Sequence, residues 1–189
     1  WFVEELGPCE FLPSSKLMKF LGKAVCGSFV SKACCDILFL MAGPSSHQMN
    51  QTRLPVYLAH TPAGTSTQNI IHFSQGIKWD KYQKFDYSSD AENKKHYGQP
   101  TPPQYDITKV TVPTALIWSD MDWLADRQDI IDAIIPNVNN WIPNGNCEMK
   151  DFSHLDFIWG MRAAREIYLP VIANILHNTS LPTAYCSQP

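Results

Sequence analysis

An α/β fold built on parallel strands is what this sequence predicts, on three features of its C-terminal part. A short β-type run, Thr114-Ala-Leu-Ile-Trp118, ends in an acid-rich turn that closes at Asp122. A helical stretch follows, opened by Asp126 and carried by Ile130, Ile131, Ala133, Ile134 and Ile135. A second turn then delivers His154 just ahead of the aromatic-rich Leu155-Asp-Phe-Ile-Trp-Gly160. The interval from Asp122 to His154 leaves room for one helix and one further strand, the repeat that a parallel sheet requires.

Composition narrows the class. With 189 residues, 44% hydrophobic and only 17% charged, the chain is an apolar globular one and not a disordered one. A net charge of −3 gives no long-range attraction to nucleic acid, and no basic patch is visible. The longest apolar run, Ile37-Leu-Phe-Leu-Met-Ala42, falls far short of the roughly 20 residues of a membrane span. Six cysteines, Cys9, Cys26, Cys34, Cys35, Cys147 and Cys186, show no paired C-x-x-C spacing, so neither a metal site nor a cofactor is expected. Sequons at Asn50-Gln-Thr52 and Asn178-Thr-Ser180, taken with the cysteines, point to a secreted or lysosomal setting. The chain starts at Trp1 without a recognisable targeting signal, which reads as processing or truncation.

Taken in order, residues 1 to about 43 read as helical pieces. Pro13-Ser-Ser15 resembles a helix start, and Leu17, Met18, Phe20 and Leu21 recur at helical spacing. The segment from Val25 to Met41 is apolar around most of its circumference. It fits a buried helix or a mobile lid whose greasy face meets a lipid surface. Cys26 and Cys35 lie within it and could close a small loop. Thr61-Pro-Ala-Gly-Thr-Ser66 is a turn-rich joint, after which Ile70, Ile71, Phe73 and Ile77 predict a helix into Trp79. From Lys78 to Gln104 the polar composition predicts an extended surface crossing. In the next block, Asp126 reads as a helix N-cap, which removes it as first choice for chemistry. Pro136 ends that helix, and the strand expected between Trp141 and Phe152 is interrupted by Pro143-Asn-Gly145. A last helix spans 160–176, where Pro170 must kink or split it.

An acid-bearing turn followed by a histidine-bearing turn is the order of the last two members of a Ser, acid, His triad in α/β-hydrolases. There a neutral imidazole takes the serine proton and a buried carboxylate fixes its tautomer. Asp122, Asp120 and Asp156 all compete as the partner of His154. No Gly-x-Ser-x-Gly occurs in the chain; Gly64-Thr-Ser66-Thr-Gln68 comes nearest. The nucleophile is therefore expected upstream of these residues.

At Asp122-Trp-Leu-Ala-Asp126, His154-Leu-Asp-Phe-Ile-Trp-Gly160 and Val56-Tyr-Leu-Ala-His-Thr-Pro-Ala-Gly-Thr-Ser66 the chain resembles the acid lipases, the family of lysosomal acid lipase and gastric lipase. The resemblance implies an α/β-hydrolase with a mostly helical cap over residues 1–111 and the C-terminal part of the core over 112–189. It implies Asp122 as the triad acid, His154 as the base and a Cys26–Cys35 disulfide; the two sequons, in polar, turn-rich surroundings, predict glycans at Asn50 and Asn178. It also implies lipid esters at a lipid–water interface as substrate, and an N-terminal half that carries the nucleophile, without which this piece should be inactive. The sequence departs from the family pattern in having no glycine pair before Asp122 and in carrying Pro143-Asn-Gly145 before His154. A catalytically silent relative with a binding or structural role is the alternative those departures suggest.

Overall fold

The computed structural model describes residues 10–11, 43–44, 46–61 and 63–187. The helix expected after Pro13, the apolar segment from Val25 to Met41 and the Cys26–Cys35 pair lie outside the described residues. The chain forms two compact units, one built on residues 59–106 and the other on 107–187 together with the segment that ends at Leu58.

In the first unit, two-residue strands β1 (Glu10–Phe11) and β2 (Thr65–Ser66) pair antiparallel. Ser66 then caps helix α2 (Thr67–Trp79), its Oγ accepting from the Asn69 N–H at 3.2 Å. This is the helix that the apolar spacing predicts, but Phe73 and Ile77 on it are exposed and its buried side chains are Thr67 and Gln75. Gln75 works as a piece of surrogate backbone. Its Nε2 donates to the Asp86 carbonyl at 2.7 Å and its Oε1 accepts from the Asp86 N–H at 2.9 Å.

The polar stretch 78–104 is more structured than an extended crossing, because it contains helix α3 (Asp90–Tyr97). Ser89-Asp-Ala-Glu92 is a capping-box sequence, with Ser89 Oγ accepting from the Glu92 N–H at 3.2 Å. Asp90 and Glu92 lie in the first turn, Lys94, Lys95 and His96 in the last, and Gly98 closes the helix at φ +73°. Asn93 is buried in place of an apolar residue, bonding the Tyr87 N–H, Asp86 Oδ1 and the Pro100 carbonyl, each at 3.0 Å. Termini and buried amides fold this segment, so apolar periodicity could not reveal it.

The second unit holds a mixed sheet in the order β3 (Thr114–Trp118), β4 (Trp141–Met149), β5 (Cys186–Ser187). The β3–β4 pair is parallel and the β4–β5 pair antiparallel. Pro143-Asn-Gly145 does not break β4. Thr114 pairs with Trp141 and Leu116 with Asn146, so an irregularity in register absorbs the extra residues. Asn144 takes the left-handed conformation at φ +58°, and a Cβ on Gly145 would sit 2.8 Å from the carbonyl oxygens of Ile142 and Thr114. The sequence signature of an interruption is thus the chemistry of a bulge.

Between these strands runs helix α4, α-helical over Arg127–Asp129, widened to a π-turn over Ile130–Ile134 and tightened over Ile135–Asn137. Asp126 caps it as expected, its Oδ1 accepting from the Gln128 N–H at 2.8 Å. The last helix is continuous: a π-turn over Ala164–Tyr168 runs directly into helix α6 (Leu169–His177), and Pro170 follows this widened turn, so a change of helical pitch stands where a kink or split was expected.

Among the described residues the core has two clusters. Cys147, Met149, Phe152, Ala163 and Ile167 pack the end of β4 against the C-terminal helical region. Met49, Leu54 and Leu58 pack helix α1 (Leu54–Leu58) against Leu155 and Trp159, the latter on the short helix α5 (Asp156–Trp159). The rings of Tyr57 and Trp159 stack at 4.8 Å. A disulfide joins Cys147 to Cys186 across the β4–β5 pair.

Candidate active site

The site forms where the two turns leave the sheet. After β3, fully buried Ser119 organises the first turn: its Oγ accepts from the Met121 N–H and its carbonyl from the Asp122 N–H, both at 3.2 Å. No residue from 119 to 122 takes a positive φ, so the turn does without glycine. Asp122 is buried, and its Oδ1 accepts from the backbone N–H groups of Leu124 and Ala125, each at 2.9 Å. These bonds fix the carboxylate before any other side chain reaches it.

The second turn begins where β4 ends. Phe152 and Ser153 are fully buried, and Asp156 Oδ2 accepts from both the Ser153 N–H at 2.8 Å and the Ser153 hydroxyl at 2.7 Å. Asp156, the first residue of α5, thereby ties the helix to the start of the turn, and its own N–H donates back to the Ser153 carbonyl at 2.9 Å. His154 sits between these two anchors. Its Nδ1 lies 3.0 Å from Asp122 Oδ2 and 3.1 Å from Oδ1.

Of the three competing acids, the fold brings Asp122 to His154. Asp120 is exposed and lines a small cleft with Glu148, Lys150 and Asp151, while Asp156 serves its own turn. Asp156→Asn is expected to lower stability by about 1–3 kcal/mol, because the bonds from Ser153 lose their charge and an amide N–H replaces a buried oxygen. Thermal melts beside turnover per active site would show it, with the loss in stability exceeding the loss in rate.

With its Nδ1–H held by a carboxylate, a neutral His154 presents Nε2 as the acceptor, the tautomer a general base needs. The imidazole is 42% exposed against 7% for the carboxylate, so the pair is buried on the acid's side and open on the base's. Among the described residues no cluster of three or more metal-ligating side chains occurs. Cys26 and Cys35 lie outside the described residues. Asn50 caps a 3₁₀ turn, its Oδ1 accepting from Thr52 N–H at 3.1 Å and Thr52 Oγ at 2.7 Å, and Asn178 is exposed at the C-terminus of α6. Sequence reasoning missed Ser119 and Ser153 as supports and the Cys147–Cys186 bridge; the Ser153-x-x-Asp156 pattern was the one signal that could have found any of them.

Comparison with known proteins gives a consistent set. Lipase lipl-1 of Caenorhabditis elegans is 46% identical over 183 residues, which is 96% of this chain and 44% of that protein. Human lysosomal acid lipase/cholesteryl ester hydrolase is 40% identical over 167 residues, 88% of this chain and 41% of the relative. Bovine gastric triacylglycerol lipase is 40% identical over 164 residues, covering 86% and 41%. No protein-family profile matches. The chain spans less than half the length of the curated relatives it matches.

Proposed function

Because this chain is homologous over most of its length to the lysosomal acid lipases, gastric lipase and the lipl lipases, we propose that the complete protein hydrolyses lipid esters through a Ser-His-Asp mechanism. Asp122 is the acid and His154 the base, and the nucleophilic serine lies in the part of the protein outside these residues. The relatives' names supply the substrate class, triacylglycerols or cholesteryl esters. The observation that carries the reading is the 3.0 Å contact between His154 Nδ1 and a carboxylate already fixed by two backbone N–H groups.

In this mechanism His154 Nε2 takes the serine proton as the serine oxygen attacks the ester carbonyl. It gives that proton to the departing alcohol, and water repeats the sequence on the acyl-enzyme. Asp122 stays ionised and stabilises the transient imidazolium. The fold is that of an α/β-hydrolase, with residues 1–111 contributing most of a cap whose segment from about Ser14 to Gly43 opens at a lipid–water interface, and residues 112–189 the end of the core. The silent-relative alternative drew on the turns at Ser119-Asp120 and Pro143–Gly145. Both turns are accommodated without displacing the Asp122–His154 pair. Hydrolysis of an emulsified fluorogenic ester tests the proposal. The complete protein should be active and residues 1–189 alone inactive, whereas a folded, complete protein inactive on every acyl ester would favour the silent relative.

A secreted or lysosomal location goes with this reading, and among the described residues no helix is long and apolar enough to cross a membrane. Asn50 and Asn178 then carry glycans: both sit at exposed turns, and the Asn50 amide oxygen already engages the Thr52 hydroxyl of its own sequon. Glycosidase treatment of protein from a secretory host should reduce its mass at both sites.

A further inference from the structure

Resting on the base role of His154, we propose that Gln48 is a positioning residue for the Asp122–His154 pair. Gln48 holds both ends of the segment that carries the imidazole. Its side-chain N–H donates to the Asp151 carbonyl, three residues before His154. Its own carbonyl accepts from the Met161 N–H at 3.0 Å, and the neighbouring Met49 bridges to Gly160. Asp151 takes the left-handed conformation, at φ +58°. A non-glycine residue in that region keeps its geometry where its surroundings hold it, and the Gln48 amide is what holds this carbonyl.

The same stretch reaches the acid. Gly43 is buried at φ +114°, and a Cβ there would lie 2.1 Å from the Met121 carbonyl oxygen and 3.4 Å from Ser153 Cβ. Its backbone is therefore packed on the residue before Asp122 and the residue before His154. Gly43, on both turns, and Gln48 and Met49, on the second, thus act as a strap.

Geometry gives the strap its importance. The Asp122 carboxylate is pinned by Leu124 and Ala125 and cannot follow a displaced partner. The distance from Nδ1 to the carboxylate is then set by where the 151–161 segment sits. Asp156 fixes that segment from inside, through Ser153, and Gln48 fixes it from outside at entry and exit. Gln48 is only 5% exposed, and its Oε1 is buried without a partner among the described residues. Burying an amide half-satisfied is unfavourable, and an apolar side chain would avoid that cost. The N–H bond to Asp151 is the compensating gain.

The test uses the complete protein with Gln48→Met, which keeps reach and bulk but has no donor, Gln48→Asn, whose amide is one methylene short, and His154→Ala as reference. Active sites of the wild type and the Gln48 variants are titrated to completion with an organophosphonate, so that unfolded protein does not count, and His154→Ala, which lacks the base that this reaction uses, is referred to folded protein. For a soluble short-chain ester, kcat per titrated site should fall about 10- to 100-fold in Gln48→Met, with KM within about twofold and Gln48→Asn intermediate, as expected when a catalytic group is misplaced by a fraction of an ångström to an ångström. Wild-type kcat per site in both variants, with His154→Ala inactive, would overturn the proposal alone. Failure of both variants to fold would make Gln48 a residue of stability and overturn it equally. Full activity in His154→Ala would remove the base role on which it rests.

Discussion

Replacing His154 by alanine in the complete protein is expected to lower turnover of an emulsified ester by about 10⁴- to 10⁶-fold, with folding unaffected in a thermal melt. The imidazole makes its contact with Asp122 alone among the described polar groups, so its removal leaves only one acid unpaired, and that acid keeps its bonds from Leu124 and Ala125. Asp122→Asn is the sharper variant, with an expected loss of about 10⁴-fold. The asparagine oxygen would stay with Leu124 and Ala125, which turns its NH₂ toward His154 Nδ1. A ring that must accept at Nδ1 carries its proton on Nε2, the position where the serine proton has to arrive. Near-full activity in either variant would remove the pair from the mechanism.

Loss of the Cys147–Cys186 bridge should be the largest single effect on stability. The two cysteines are 39 residues apart, and in the chain-entropy picture a loop of that size contributes about 4 kcal/mol. Against a total of about 5–15 kcal/mol for an ordinary domain, that is a large share. The double variant Cys147→Ala/Cys186→Ala should melt well below the wild type, and denaturant midpoints would show the same order. Non-reducing peptide mapping should recover the Cys147–Cys186 pair, and the same map reads whether Cys26 is joined to Cys35 or to Cys34.

The parts of the fold that were legible in the sequence are those governed by local rules. β3, the cap at Asp126 and the helix into Trp79 follow from periodicity and capping. Helix α3 was equally local, yet its signal lies in Ser89, Glu92 and Gly98 and not in apolar spacing, which its buried Asn93 does not provide. The bulge at Pro143–Gly145 needs the partner strand to be understood, since its logic is the register between Thr114 and Leu116. Spacing brought Asp120, Asp122 and Asp156 within reach of His154 alike. Only the directions in which neighbouring N–H groups point, from Leu124 and Ala125 for one acid and from Ser153 for another, separate their roles. Six cysteines allow fifteen complete pairings, and no local rule selects Cys186 for Cys147.

The order of synthesis gives that bridge a further meaning. Protein chains emerge N-terminus first, at about 5–20 residues per second. In a secretory route Cys147 therefore emerges before the 148–185 stretch, His154 included. During that interval the thiols already present to it are upstream ones, among them Cys34 and Cys35. Thiol–disulfide exchange lets such early pairings be undone once Cys186 arrives. The strand that supports the histidine turn is thus tied by a cysteine that follows the turn, so a chain interrupted between His154 and Cys186 would keep the turn and lose the bond that closes the ring around it.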